Sequence, residues 1–204
     1  MVQMLGKTPI DLKALDLDLA SFSAHKCYSL KGCGLLYCKK GVNLDSLIHG
    51  GPQERKRRAG TENLPGISAF GAVAEERQEL LKESQKLEAL RDNMEEEILS
   101  SLSDVTVIGR GAQRLGNTSC LCISGIEGET LLMNLDLKGV SVSVGSACGS
   151  GKLESSSILT AMGWTEKEAK SAVRVSLGLG TTKEQIKYFQ KNLKECVSRL
   201  RRLT

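Results

Sequence analysis

The sequence predicts an α/β protein in two parts joined by a long helix. A β-rich segment fills the first forty residues, with apolar runs at 17–23 (LDLASFS) and 34–40 (GLLYCKK). Leu80, Leu81, Leu87, Leu90, Met94, Ile98 and Leu99 recur at helical spacing and mark one helix over roughly 66–102. From about 104 onward strand-like and helix-like stretches alternate, the pattern of packed α/β layers. The divisions that follow are 1–65, 66–103 and 104–204.

HKCYSLKGC separates the first two strands. The connection at 49–66 (HGGPQERKRRAGTENLPG) is rich in Gly and charge. At about eighteen residues it is long for a structureless loop, which points to function. Pro65 precedes the long helix. VTVIG (105–109) and NTSCLCIS (117–124) read as strands, and GETLLMNLDLKG (128–139) as a helix closed by Gly139. VSVSVG (140–145) alternates like a strand, and SSSILTAMG (155–163) is a short helix. Thr165 with Glu168, and Thr182 with Gln185, have the spacing of capping boxes. Between them lies a strand at 171–178, and an amphipathic helix closes the chain at 181–203.

Composition narrows the function. Apolar residues are 40% and charged residues 25%, the balance of a globular protein. Aromatics are only 3%, so aliphatic side chains must build the core and a base-stacking surface for nucleic acid is not expected. The net charge of +4 is spread along the chain, and the basic runs at 53–60 and 198–204 read as solvated faces or helix C-terminal charges. No segment reaches the roughly 18 apolar residues of a membrane span, and MVQMLGKTPIDLK lacks the apolar stretch of a secretory leader. Seven cysteines without a C-x-x-C pair argue against a disulfide framework or a zinc ribbon. Cys120 and Cys122 share one strand face and read as small core residues, while the spacing of Cys27, Cys33 and Cys38 is too irregular to suggest a metal. Reduced thiols in a cytosol-like compartment fit this pattern.

Four stretches carry candidate chemistry. Lys26 in SFSAHK follows a strand beside Ser23 and His25; it is either a surface lysine or one whose partial desolvation suits Schiff-base chemistry. RAGTEN (58–63) offers Arg58 and the Thr61 hydroxyl to a phosphate, or is an ordinary helix cap. Arg174 interrupts an apolar strand, so it is either edge-exposed or aimed at a carboxylate in a cleft. Cys148 lies on the glycine-rich stretch GSACGSGK, where packing gives no reason for a thiol. It is either an inert turn residue or a reactive one.

In this order, SFSAHK, GGPQERKRRAGTEN, GSACGSGKLESSSIL and VRVSLGLGTT make the chain resemble the C-terminal half of a NifS/IscS-type cysteine desulfurase. These are class-V aminotransferases of PLP-dependent fold type I, and the resemblance covers nearly all 204 residues. It implies an incomplete large-domain segment carrying the pyridoxal 5'-phosphate (PLP) lysine over 1–65, a connecting helix over 66–103 and an α/β small domain carrying the cysteine over 104–204. Lys26 matches the lysine that holds PLP as a Schiff base, and Ser23 and His25 match donors to its phosphate. Gln3 matches the glutamine at its phenolic oxygen, and Thr61 the hydroxyl that reaches the phosphate in the partner subunit of a homodimer. Arg174 matches the arginine that grips the substrate carboxylate, and Cys148 the nucleophile that accepts sulfur.

The implied activity converts L-cysteine to L-alanine with a persulfide on Cys148, for delivery to a sulfur acceptor or iron–sulfur scaffold protein. No metal, nucleic acid or membrane partner is implied. The implied location is cytoplasmic, or organellar where a presequence precedes the chain. Departures from the pattern matter. The family's aspartate, which pairs with the pyridine nitrogen, stands three residues before the glutamine and would precede Met1 here. Ser29-Leu30 and Pro52 replace Gly-Pro and Gly, and no scaffold-docking tail follows RRLT. The expectation is an N-terminally truncated product or one half of a split gene, inactive in isolation. Selenocysteine lyase, and a non-catalytic fragment or interaction module, are the alternative readings.

Overall fold

Alternation in LASFS sets the first strand. In the computed structural model, which describes residues 1–144 and 156–203, β1 (Leu19–Ser23) turns Ala20 and Phe22 inward and leaves Leu19 and Ser21 outward. It pairs antiparallel with β2 (Gly34–Cys38), Leu19 opposite Cys38 and Ser23 opposite Gly34. A single 3-10 turn, Ala24–Cys27, follows β1 directly. Ala20, Phe22, Ala24, Cys27 and Phe70 form a small buried cluster flanked by Met1, Leu5 and Ile10. Leu35 and Leu36, adjacent and so on opposite faces of the sheet, are each about half exposed.

The connection at 49–66 contains one hydrogen-bonded turn, α1 (Gln53–Lys56). Glu54, Arg55 and Lys56 there all take left-handed φ values of 48°, 57° and 64°. Each such non-glycine residue costs roughly 1–2 kcal/mol, so this basic turn stores backbone strain. Asn63 then caps α2 (Leu64–Glu75) by accepting the Gly66 N–H at 3.2 Å, with Pro65 in the first turn.

The sequence predicts one helix over 66–102, but the structure has two. α2 ends before Glu76 (ψ 9°), and α3 runs Arg77–Ser101. All the periodic apolar residues lie in α3, so the pattern held no information about residues 66–75. The chain forms two compact units, Met1–Ser84 and Gln85–Thr204, and the division falls inside α3. Gly6 (φ 73°) is needed in the first unit, where a Cβ would lie 2.9 Å from Leu80 Cδ1.

The second unit is built on an antiparallel sheet of β3 (Val105–Val107), β4 (Thr118–Ile123), β5 (Ser143–Val144) and β6 (Ala172–Ser176), in the order β3-β4-β6-β5. α4 (Gly128–Asp136) and α7 (Lys183–Leu200) join the later part of α3 on one face, around Leu121, Ile123, Val173 and Val175. Close approach of α4 requires Gly128, whose added Cβ would meet the Ala172 carbonyl oxygen at 2.8 Å. α5 (Ser157–Ala161) and α6 (Glu166–Lys170) supply Leu159 and Ala169 to a second cluster with Cys122 and Ala172, on the sheet's other face. The described part of β5 starts at Ser143, three residues after the Val140 N–H bonds the Leu135 carbonyl at the end of α4. Both capping boxes form, Thr165 with Glu168 and Thr182 with Gln185. Hydrogen bonds from Thr165 hold the Glu168 carboxyl below its ordinary range.

A charged cluster lies within this unit. Arg114 forks onto both Glu95 oxygens at 2.8 and 2.6 Å, and Arg91 donates to the Leu115 carbonyl at 2.9 Å. Glu95 and Arg91 are almost fully buried. No helix among the described residues is long and apolar enough to cross a membrane.

Leu121 is fully buried at the centre of β4, so Leu121→Ala is expected to destabilise the second unit by about 2–5 kcal/mol in chemical denaturation. Thr182→Ala removes one cap and should cost about 1 kcal/mol by the same measurement.

Candidate functional site

Unit one gathers its candidate groups through the turn after β1. Ser23 ends the strand, and Ala24–Cys27 follows as a 3-10 turn, so Ser23, His25 and Lys26 emerge together. Ser23 Oγ and His25 Nδ1 share a hydrogen bond of 3.0 Å. His25 and Lys26 are exposed, and Ser23 is half-buried. The turn is anchored by Ala24 and by Cys27, whose buried Sγ donates to the Ala24 carbonyl at 3.1 Å. Gln3 is exposed on an N-terminal turn whose Met1 and Leu5 pack against this same anchoring cluster. Thr61 is exposed between Gly60 (φ 99°) and the cap residue Asn63. No hydrogen bond among the described residues joins Thr61 to Lys26.

Lys26 is therefore open to solvent, the surface position that is one of the two readings its sequence leaves open. The desolvated amine is Lys7, a residue for which the sequence carried no signal. Burial pushes the Lys7 ammonium below its ordinary range, and repulsion from Lys26 adds to the shift. Burial pushes the neighbouring Cys27 thiol up, against the opposing pull of Lys7.

Unit two places its candidate on the sheet. β6 lies between β4 and β5, so Arg174 is on an interior strand and the edge reading is excluded. Arg174 is directly opposite Cys120 on β4 and Ser143 on β5. It projects from the face opposite to Val173 and Val175, which belong to the helix-packed core. Its Nε is buried and has no hydrogen-bond partner among the described residues. Burial raises the Cys120 thiol pKa, with Cys122 adding to the shift and Arg174 opposing it. Cys148 lies outside the described residues. The chain enters 145–155 from β5 and returns at Ser156, which caps α5.

Among the described residues no three His, Cys, Asp or Glu side chains converge to hold a metal. The arrangement instead offers a primary amine beside a hydroxyl and an imidazole in one unit, and in the other a guanidinium N–H that is unpaired among the described residues.

The aminotransferase class-V family model matches residues 1–189. A cysteine desulfurase IscS of Dictyoglomus turgidum is 42% identical over 204 residues, covering 100% of this chain and 52% of that protein. The cysteine desulfurase IscS of Methanosarcina thermophila is 43% identical over 204 residues, covering 100% of this chain and 50% of that protein. Among solved structures, a NifS-like protein superposes with a TM-score of 0.87 at 36% identity, over 98% of this chain and 51% of that one. A structure described as SspA in complex with cysteine gives a TM-score of 0.66 at 29% identity, over 87% of this chain and 48% of that one. The chain thus spans about half the length of the curated relatives it matches.

Because Lys26 repels the Lys7 ammonium, Lys26→Ala should raise the Lys7 pKa toward its ordinary value and leave less free amine. Acetic anhydride at mildly alkaline pH, read by peptide mass mapping, is expected to label Lys7 more slowly in this variant than in wild type.

Proposed function

Since the chain belongs to the aminotransferase class-V family, we propose that it is the lysine- and cysteine-bearing portion of a PLP-dependent cysteine desulfurase. The observation that carries this reading is Arg174. A buried guanidinium N–H without a partner is costly, and a planar fork of donors matches a carboxylate. An amino-acid substrate supplies one. The high identity to cysteine desulfurases over the whole chain supports cysteine as that amino acid.

The residues of the first unit fit PLP in kind. Lys26 provides an accessible amine for its aldehyde, Ser23 and His25 a hydrogen-bonded hydroxyl and imidazole for its phosphate, and Gln3 an amide for its phenolic oxygen. Thr61 is assigned to a phosphate in the partner subunit of a homodimer. Bound there, PLP supplies an electron sink for negative charge on the substrate carbons.

The chain's own groups do the rest. Arg174 holds the carboxylate and orients the substrate. Lys26 Nζ, as the free amine, takes the proton from the substrate Cα. Cys148, as thiolate, attacks the substrate sulfur. A sulfur–sulfur bond forms as the carbon–sulfur bond breaks, and the carbon fragment is released as alanine after protonation. The persulfide then passes to a sulfur acceptor or iron–sulfur scaffold protein.

In the intact protein, PLP followed by borohydride should leave a pyridoxyl group on Lys26, and Lys26→Ala should lose it. L-cysteine should add one sulfur to Cys148 by mass, and Cys148→Ser should lose that sulfur while keeping the label. Turnover of selenocysteine but not cysteine would reassign the protein as a selenocysteine lyase. Absence of any label on Lys26 would sink the enzyme reading in favour of a non-catalytic module.

A further inference from the structure

We propose that Cys120 and Ser143, the cross-strand neighbours of Arg174, are positioning residues that complete its seat for an amino-acid carboxylate. The proposal rests on the role given to Arg174 above. β6 is the third strand of β3-β4-β6-β5, and the register sets Cys120 on one side of Arg174 and Ser143 on the other. Directly opposed residues of an antiparallel pair project from the same face, with Cβ atoms about 4.5–5.5 Å apart. The guanidinium stem therefore rises between a thiol and a hydroxyl. Its Nε is buried, yet neither neighbour satisfies it.

The two flanks differ in chemistry. The Ser143 hydroxyl makes no hydrogen bond among the described residues and can donate to an anion that Arg174 already holds. Cys120 is partly buried beside Cys122 and Ala172, and a thiol is a weak acceptor. Burial favours its neutral form, so it forms no ion pair that would occupy the guanidinium. A carboxylate at the same position would pair with Arg174 internally and exclude the ligand. Cys120 thus keeps the arginine free, and Ser143 adds a second point of attachment that orients the carboxylate.

The test is the Arg174 Nε–H resonance of the intact, nitrogen-labelled chain. It is titrated with L-alanine and, separately, with L-alaninamide, which lacks the carboxylate. L-alanine should move the resonance and L-alaninamide should not. Ser143→Ala should weaken the response about tenfold, as for a lost hydrogen bond to a charged group, and Ser143→Thr should restore it. Cys120→Asp should abolish the response and Cys120→Ser should keep it. Should Cys120→Asp fail to fold, the Ser143 pair decides alone. A wild-type response unchanged by Ser143→Ala and Cys120→Asp overturns the seat and leaves Arg174's role standing. A resonance that L-alanine never moves, or that L-alaninamide moves equally, overturns the role and the seat together.

Discussion

The pairing of β4 with β6 is the constraint on which the second unit depends. Five residue pairs run from Thr118–Ser176 to Cys122–Ala172. Because side chains alternate, this register sends Leu121, Val173 and Val175 to the helix-packed core and Cys120, Cys122 and Arg174 to the other face. A slip of one residue would exchange the two sets and place a guanidinium among α3, α4 and α7. The hydrophobic sorting that stabilises the unit is thus the same event that presents Arg174. Fold and candidate chemistry cannot be varied independently here.

The first unit uses the same alternation on a smaller scale. Ala20 and Phe22 point inward, Ser23 ends the strand, and the tight turn after it brings Ser23, His25 and Lys26 out together. Its buried cluster has only five residues, and a two-stranded sheet is marginal without further packing. Half-exposed Leu35 and Leu36 follow from that small sheet. The turn is nevertheless well anchored, since Ala24 and Cys27 on either side of the exposed pair are buried.

Buried charge alone does not mark a site, as the second unit makes plain. Glu95 is almost fully buried, but Arg114 satisfies both its oxygens and Arg91 approaches at 4.0 Å. Arg91 in turn contacts Glu88, Asp92 and the Leu115 carbonyl. That cluster is internally complete and reads as structural; desolvation of its charges offsets most of their mutual attraction, so its net stabilisation is small. Arg174 differs in what it lacks. Its buried Nε has no partner among the described residues, and the proposed substrate carboxylate is the partner that would fill this gap.

Local features were legible in the sequence because local physics decides them. Both capping boxes, the first two strands, the helical stripe of α3 and the left-handed Gly139 (φ 72°) depend on residues a few positions apart. Ser23, His25 and Lys26 are neighbours in the chain, and Arg174 stood out as a charge in an apolar strand, so the candidate groups and the family were readable. The break at Glu76 was not, because the pattern on one side of it masked the silence on the other. Nor could the sequence say that Lys7 is the desolvated amine, that β6 is interior, or that Cys120 and Ser143 flank Arg174. Those outcomes depend on burial and strand register. Both are set by contacts between residues far apart in the chain, and only the tertiary structure decides them.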